Sequence, residues 1–108
     1  MLAEESPTQR RRGSLEGSQC DRIVEVLKAL AHPLRLQIVT LLCDSEEHVS
    51  RIAQDLQTDS AIVSQQLRIL RMTGLVETTR CGGFAVYRLA DPDQRQLIRC
   101  LKDCRLSH

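Results

Sequence analysis

The sequence is poor in aromatic residues, in net charge and in long apolar runs. It has one tyrosine, one phenylalanine and no tryptophan in 108 residues, so the core must be aliphatic and stacking on bases is not expected to contribute. Fifteen Lys and Arg against 14 Asp and Glu leave a net charge of +1, which excludes a strong overall basic excess. No apolar stretch is long enough for a membrane span or a secretory signal, so we expect a cytoplasmic protein without a membrane partner.

Catalytic constellations are missing as well. There is no Ser/His/Asp arrangement, no glycine-rich phosphate loop and no pair of catalytic carboxylates. The isolated His32 and His48 are typical of turn or packing groups. We therefore do not expect an enzyme, and a chain of this length predicts one domain whose core a dimer partner would help to complete.

The order of elements over residues 49–89 is that of a winged helix-turn-helix, which makes double-stranded DNA the first expected partner. One helix is predicted over Ser50–Leu56 and a second over Ser60–Met72, with Thr58 or Asp59 capping the second. The second helix should bury Ile62, Val63, Leu67 and Leu70 and expose groups suited to base edges and phosphates, although an ordinary solvated face has similar composition. The candidate DNA-binding residues on it are Ser60, Ala61, Ser64, Gln65, Arg68 and Arg71.

Two β-rich runs between Leu75 and Leu89 predict a hairpin that turns around Cys81, Gly82 and Gly83, with Gly74 closing the preceding helix. Arg80 and Arg88 lie on this hairpin, either to meet the sugar-phosphate backbone or only to aid solubility. The predicted fold class is mainly α with a small β-hairpin, namely a winged helix-turn-helix with five helices and a two-stranded wing.

The remaining helices flank this unit. Residues 1–17 are predicted to be a disordered arm, in which Arg10, Arg11 and Arg12 form either a phosphate contact or a solvated patch. Residues 18–106 are predicted to form the DNA-binding and dimerisation domain. Helices are expected over Ser18–His32 with Ser18 as N-cap, from Pro33 to Cys43, and from Pro92 onward. The first and last carry apolar stripes broad enough to need a partner. These stripes contain Cys20, Ile23, Val24, Leu27 and Leu30 in the first helix, and Leu97, Leu101 and Cys104 in the last.

Five cysteines are many for a chain without a secretion signal, and in a reducing compartment they are expected to be thiols. Cys100 and Cys104 are spaced i, i+4 and should share one helix face, where two sulfurs can hold a soft ion. Cys20, on the neighbouring apolar stripe, is the candidate third ligand. The alternative is that these cysteines are small hydrophobic core residues, and that reading is strongest for Cys20 and Cys43.

Three separated motifs resemble the ArsR/SmtB family of bacterial repressors. They are residues 27–39 (LKALAHPLRLQIV), residues 60–70 (SAIVSQQLRIL) followed by Gly74-Leu75-Val76, and the wing ending Tyr87-Arg88-Leu89. The resemblance covers about Cys20 to Leu106 and implies a homodimeric winged-helix repressor that leaves operator DNA when it binds a metal or metalloid ion, or when paired cysteines are modified. It also implies that the first and last helices build the dimer interface. One departure is Gln66, where relatives often carry His, which implies a different operator preference.

The family's effector sites match this chain only in part. A Cys-Val-Cys type metalloid motif is absent, because Ser50, Arg51 and Ile52 occupy that neighbourhood. A zinc site on the last helix would have Asp93, Asp103 and His108 but no internal His pair. A redox or reactive-sulfur pair is implied between Cys43 and Cys104, although Thr40 stands where the helix-two cysteine is expected.

The resulting hypothesis is a dimeric repressor that needs no cofactor to bind DNA and whose operator affinity is switched by thiol chemistry. The expected effector is As(III), Sb(III) or another thiophilic ion at Cys100, Cys104 and Cys20. The alternatives are a persulfide or redox sensor using Cys43 and Cys104, and a winged-helix interaction module whose cysteines are inert.

Overall fold

The computed structural model describes residues 13–106, and these contain five helices and three strands. The mainly α class, the helix-turn-helix and the hairpin wing are thereby confirmed. Residues 1–12, with most of the predicted arm and its three arginines, lie outside the described residues, as does His108. The elements are α1 Gly17–Leu30, α2 Pro33–Asp44, β1 Glu47–His48, α3 Val49–Asp55, α4 Ser60–Met72, β2 Val76–Cys81, β3 Phe84–Leu89 and α5 Pro92–Asp103.

The sheet has one more strand than the sequence predicted. Its order is β1-β3-β2, and β1 pairs antiparallel with β3 through Glu47 opposite Tyr87 and His48 opposite Val86. The short strand was missed because two polar residues show neither alternation nor β propensity. Its pairing fixes the base of the wing against the start of α3, so the wing and the helix-turn-helix form one body.

The core is aliphatic, as the lack of aromatic residues predicted. The inner faces of α2, α3, α4 and the wing meet in one cluster, and α1 and α5 close it from outside. Ile62 was predicted to be buried and is 44% exposed, because the core face of α4 runs through Val63, Leu67 and Leu70 and leaves Ile62 beside it. The fully buried large side chains are Ile38, Val39, Leu42, Cys43, Ile52, Val63, Leu67, Leu70, Leu75 and Ile98.

Helices α1 and α5 depart from the prediction in which residues they bury. In α1 the core contacts come from Val26, Ala29 and Leu30, whereas Val24 and Leu27 are 40% and 48% exposed. In α5 only Ile98 is buried. Ser18 is not the N-cap, because α1 begins at Gly17 after Glu16. The predicted stripes exist, but most of each stripe faces away from the core of its own chain.

The two helices of the helix-turn-helix end in the same way. After α4, the Gly74 N–H donates to Arg71 O and the Leu75 N–H to Leu70 O, with Gly74 at φ +81°. After α3, the Gln57 N–H donates to Gln54 O and the Thr58 N–H to Ala53 O. Both are Schellman motifs, which need one residue in the left-handed region. Gly74 was predicted in that role, but α3 places Gln57 there at φ +53°.

Gln57 is therefore a strained residue at the turn between α3 and α4, and replacing it should change stability in a predictable direction. We expect Gln57→Gly to raise the free energy of unfolding by about 0.5 kcal/mol, because relief of left-handed strain exceeds the added entropy of the unfolded chain. A β-branched residue tolerates positive φ poorly, so Gln57→Val should lower the free energy of unfolding by about 1–2 kcal/mol. Urea unfolding measures both.

The matched control for this pair is Gln54→Gly, which changes the same residue type inside α3. Gln54 lies in the last turn of α3, where glycine should lower the free energy of unfolding by about 0.5–1 kcal/mol, opposite in sign to the change expected for Gln57→Gly. A Gln57→Val protein as stable as the native chain would contradict the assigned turn geometry.

Candidate nucleic-acid interface

Helix α4 has the bounds that the sequence predicted, and its start is held by a side-chain cap. Asp59 Oδ1 accepts from the Ala61 N–H at 2.7 Å, which satisfies one of the free donors of the first turn. The fully buried Val63, Leu67 and Leu70 anchor the opposite side of the helix in the core. Rotation of α4 about its axis is therefore fixed, and so is the direction in which its outer side chains point.

The outer face of α4 carries the predicted set of candidate DNA-binding residues, all of them exposed. Four of these residues, Ala61, Ser64, Gln65 and Arg68, line one shallow depression on the surface. The small Ala61 and Ser64 leave room there for a base edge, while the amide of Gln65 and the guanidinium of Arg68 supply donors at its rim. Ser60 and Arg71 lie exposed at the two ends of the same helix.

The wing is a tight hairpin whose two loop residues, Gly82 and Gly83, both have positive φ. Such a two-residue loop follows the twist of the strands, so the wing projects as one ribbon. Arg80 donates through Nη1 to Gly83 O at 3.2 Å, which holds its guanidinium at the tip of the wing.

Arg88 is placed differently from Arg80. Its Nε donates to Glu77 Oε2 at 3.0 Å and its Nη1 to Thr79 Oγ1 at 3.1 Å, across the hairpin. The pairing with Glu77 balances its charge locally, so Arg88 stiffens the wing and offers less field to a phosphate than Arg80 does.

Phe84 and His48, neither of them among the candidate DNA-binding residues, lie between the wing and the starts of α3 and α4. Phe84 is 64% exposed, and its ring lies 5.8 Å from that of His48, whose Nδ1 is 2.9 Å from Ser50 Oγ. A depression between the wing tip and the starts of α3 and α4 is lined by these residues together with Ser60. The register of β1 against β3 places them together, and an unpredicted strand gave no signal for that.

The candidate thiol residues are mostly exposed. Cys20, Cys81, Cys100 and Cys104 are accessible, whereas Cys43 is buried. Helix α5 ends at Asp103, and Cys104 is its C-cap with extended backbone at ψ 131°. Cys100 and Cys104 therefore lie in the last turn of α5 and at its cap, and their joint role as ligands stays a prediction. The last turn tightens as the Cys104 N–H bonds Leu101 O, three residues back, and the chain then leaves the helix.

The structure does not assemble a complete thiol site within one chain. Over residues 13–106 no group of three or more His, Cys, Asp and Glu is placed to hold a metal ion, so Cys20, Cys100 and Cys104 are not brought together. The site formed by these three cysteines stays a prediction.

The alternative pair, Cys43 and Cys104, combines a buried thiol with an exposed one and stays a prediction. Cys43 Sγ lies 3.6 Å from Arg95 O, near the start of α5, while the Arg95 guanidinium donates to Cys43 O at 2.7 Å. Cys104 follows nine residues later along that helix, which places it roughly 13 Å farther along the axis. A disulfide needs Cα atoms within about 7 Å, so we expect that forming this pair requires movement of α5 against α2.

Movement of α5 is opposed by one further contact at the same junction. Lys102 Nζ lies 2.7 Å from Asp44 Oδ2, and its hydrogen bond holds the pKa of the Asp44 carboxyl below the usual range. The pair is exposed, so it orients the helices more than it stabilises them.

No single helix of residues 13–106 has the length and apolar composition to cross a membrane. Helices α1 and α2 reach that length and composition only when they are taken together, and the chain bends by 104° at the break between them.

Comparison with known proteins agrees with this architecture. The family model described as "Bacterial regulatory protein, arsR family" matches residues 32–78. The biofilm growth-associated repressor of Xylella fastidiosa (strain Temecula1) is 35% identical over 83 residues, covering 77% of this chain and 73% of its own.

Two solved structures have the same fold. HlyU from Vibrio cholerae superposes with a TM-score of 0.75 at 31% identity, covering 80% of this chain and 94% of its own. The homodimeric winged helix-turn-helix DNA-binding domain of Mb0332 from Mycobacterium bovis gives 0.72 at 33% identity, covering 94% and 87%. With the helix-turn-helix, the wing and these likenesses together, the chain belongs to the ArsR/SmtB family of winged helix-turn-helix proteins and is a DNA-binding transcriptional regulator.

Proposed function

We propose that the protein is a homodimeric repressor that reads operator DNA with α4 and contacts the adjacent phosphates with the tip of the wing. The observation that carries this proposal is the two-sided character of α4. Its inner residues are fully buried, while its outer face presents Ser64, Gln65 and Arg68 around one depression. A helix anchored in this way can enter a major groove without losing core contacts.

A homodimer is supported by the apolar side chains that α1 and α5 leave uncovered. Val24 and Leu27 on α1 and Leu97 and Leu101 on α5 are 36–48% exposed, although their neighbours on both helices close the core. Burying these side chains against a second copy adds hydrophobic stabilisation to a small domain. Two copies related by a two-fold axis also present two α4 helices to successive major grooves.

The effector is proposed to be a thiophilic ion such as As(III) or Sb(III), bound by thiolates near the end of α5. Cys100 and Cys104 are both exposed there, and Cys20 lies on α1, the other helix of the proposed dimer contact. Since one chain does not collect three sulfurs, a third thiolate would come from rearrangement of α5 or from the partner's α1. Either route makes ion binding sensitive to how the two copies are packed.

Release from DNA follows if the ion binds one dimer geometry better than another. A few kcal/mol of difference between the free and the DNA-bound geometries is enough to change operator affinity by two or more orders of magnitude. The thiolates need no contact with DNA for this, because the helices that carry them set the spacing of the two α4 helices.

Removing the proposed phosphate contact of the wing tests whether the wing tip lies on DNA. A duplex enriched by the native protein from a random-sequence pool serves as the cognate probe, with a scrambled duplex of equal length as the reference. We expect Arg80→Ala to weaken binding to both duplexes alike, and to reduce the slope of log K against log salt by about one unit, the effect of one lost phosphate contact.

Arg99→Ala is the matched control, because Arg99 is an exposed arginine on α5, away from the wing. Its salt slope should equal that of the native protein. An unchanged slope in Arg80→Ala would remove the wing tip from the interface. If no duplex is enriched from the pool, the protein is an interaction module and the proposal fails.

A further inference from the structure

One guanidinium joins three helices behind the reading face. Arg35, in the first turn of α2, donates through Nε to Ala29 O at 2.6 Å and through Nη1 to Gln66 Oε1 at 2.9 Å. Ala29 is the second-last residue of α1, and Gln66 is at the centre of α4. The two bonds are partly buried, so they are less screened by water than a surface contact.

The carbonyl of Ala29 has a physical reason to accept from Arg35. The last four carbonyls of a helix have no partner within it, and Ala29 O is one of these in α1. A cation at a helix C-terminus is also favoured by the helix dipole. Arg35 thus closes the end of α1, and its Nη1 reaches Gln66 on α4.

The bond also determines what Gln66 can do. A guanidinium carries only donors, so the atom of Gln66 that faces it must be the amide oxygen. Reading adenine with an amide uses the oxygen and the N–H together. The oxygen of Gln66 accepts from Arg35 and is therefore turned toward α2, whereas the adjacent Gln65 is exposed in the depression on the outer face.

A second arginine links α1 to the end of α4. Arg22 Nη1 donates to Thr73 O, the C-cap of α4, at 3.1 Å. A Cβ on Gly74 would lie 3.3 Å from Arg22 Nη2, so the glycine leaves space for this contact. Helix α1 is therefore linked to α4 at two points. Arg22 contacts the C-terminus of α4, and Arg35 connects the end of α1 to the centre of α4.

We propose that Arg35 and Gln66 are positioning residues for sequence readout, and that their hydrogen bond sets the orientation of α4 relative to α1. Neither residue contacts DNA in this scheme. The pair transmits the placement of α1, the proposed dimer helix, to the side chains that meet the bases. This inference rests on the proposed reading role of α4.

The test compares affinities for the enriched and the scrambled duplex at fixed salt, and their ratio measures discrimination. Gln66→Met keeps the length of the side chain and removes the acceptor, so discrimination should fall about tenfold, the worth of one hydrogen bond to a charged group. Affinity for the scrambled duplex should stay the same, since no phosphate contact is lost. Gln96→Met on α5 is the matched control and should leave the ratio unchanged.

Conservative replacement separates positioning from direct contact. Gln66→Glu retains an acceptor for Arg35 but has no N–H for a base. It should keep native discrimination while its added charge lowers affinity for both duplexes alike. In the double variant Arg35→Met with Gln66→Met, discrimination should be no lower than in Gln66→Met alone, because both changes remove the same bond.

Urea unfolding confirms that each variant is folded, which matters most for Arg35→Met since it also removes the cap of α1. Native discrimination in Gln66→Met would overturn the inference. A loss of discrimination in Gln65→Ala would still show that α4 reads the bases. Equal losses in Gln66→Glu and Gln66→Met would also overturn it, because Gln66 would then be a direct base contact. If Gln65→Ala and Gln66→Met both discriminate as the native protein does, the reading role of α4 fails together with the inference.

Discussion

The double variant Ser64→Ala with Gln65→Ala should lose most of its preference for the enriched duplex while binding the scrambled duplex almost as well as the native protein does. Each side chain that pairs with a base edge is worth about 1–3 kcal/mol of discrimination, or roughly fivefold to 150-fold. Both side chains lie in the depression on the outer face of α4 and neither belongs to the core. Stability should therefore change little, and the loss should be one of readout.

Competition between labelled enriched duplex and unlabelled scrambled duplex measures this loss, with each single variant beside the double variant. Gln54→Ala is a matched control, because Gln54 is an exposed glutamine on α3, outside that depression. Full discrimination by both Ser64→Ala and Gln65→Ala would mean that another surface reads the bases.

The second large effect concerns the response to effector. Cys100→Ser and Cys104→Ser should each bind the enriched duplex normally and fail to release it when As(III) is added. A soft ion needs at least two thiolates, and serine oxygen is a poor ligand for it. Both cysteines are exposed and outside the core, so the variants should fold as the native protein does. Cys20→Ser should be intermediate, as expected for a third sulfur.

Cys81→Ser is the control, since Cys81 is also exposed but lies beside the turn of the wing, away from α5. Repeating the release assay with a persulfide donor separates the two thiol chemistries. Normal release by both Cys100→Ser and Cys104→Ser would contradict the metalloid site. Loss of release confined to Cys43→Ser and Cys104→Ser would show instead that α5 moves far enough for the redox pair to form.

The helix-turn-helix could be predicted closely because its signals are local. The hydrophobic periodicity predicted the bounds of α4. Asp59 was predicted as a cap at its start and Gly74 as the residue that ends it. The exposed face of α4 could be predicted for the same reason, because a period of 3.6 residues separates the buried side of a helix from its exposed side. Ile62 was wrongly predicted to be buried, because periodicity does not decide whether an apolar residue at the border of the stripe is buried or exposed.

Contacts between distant parts of the chain could not be predicted. The pairing of β1 with β3 depends on where two strands far apart in sequence meet, and the bond from Arg35 to Gln66 joins residues 31 positions apart. The end of α5 at Asp103 was missed because the apolar repeat continues through Cys104 while the backbone leaves the helix. In α1 and α5 the sequence pattern combines core contacts with the proposed dimer contacts, so periodicity alone does not separate Leu30 from Leu27.

The most direct test of the whole account is the affinity of the native protein for the enriched and the scrambled duplex over a range of salt concentrations. We predict a preference for the enriched duplex of at least about a thousandfold, the lower range for specific DNA-binding proteins, and a steep fall of both affinities with salt. Equal affinity for the two duplexes, or binding that salt does not weaken, would contradict sequence readout by α4.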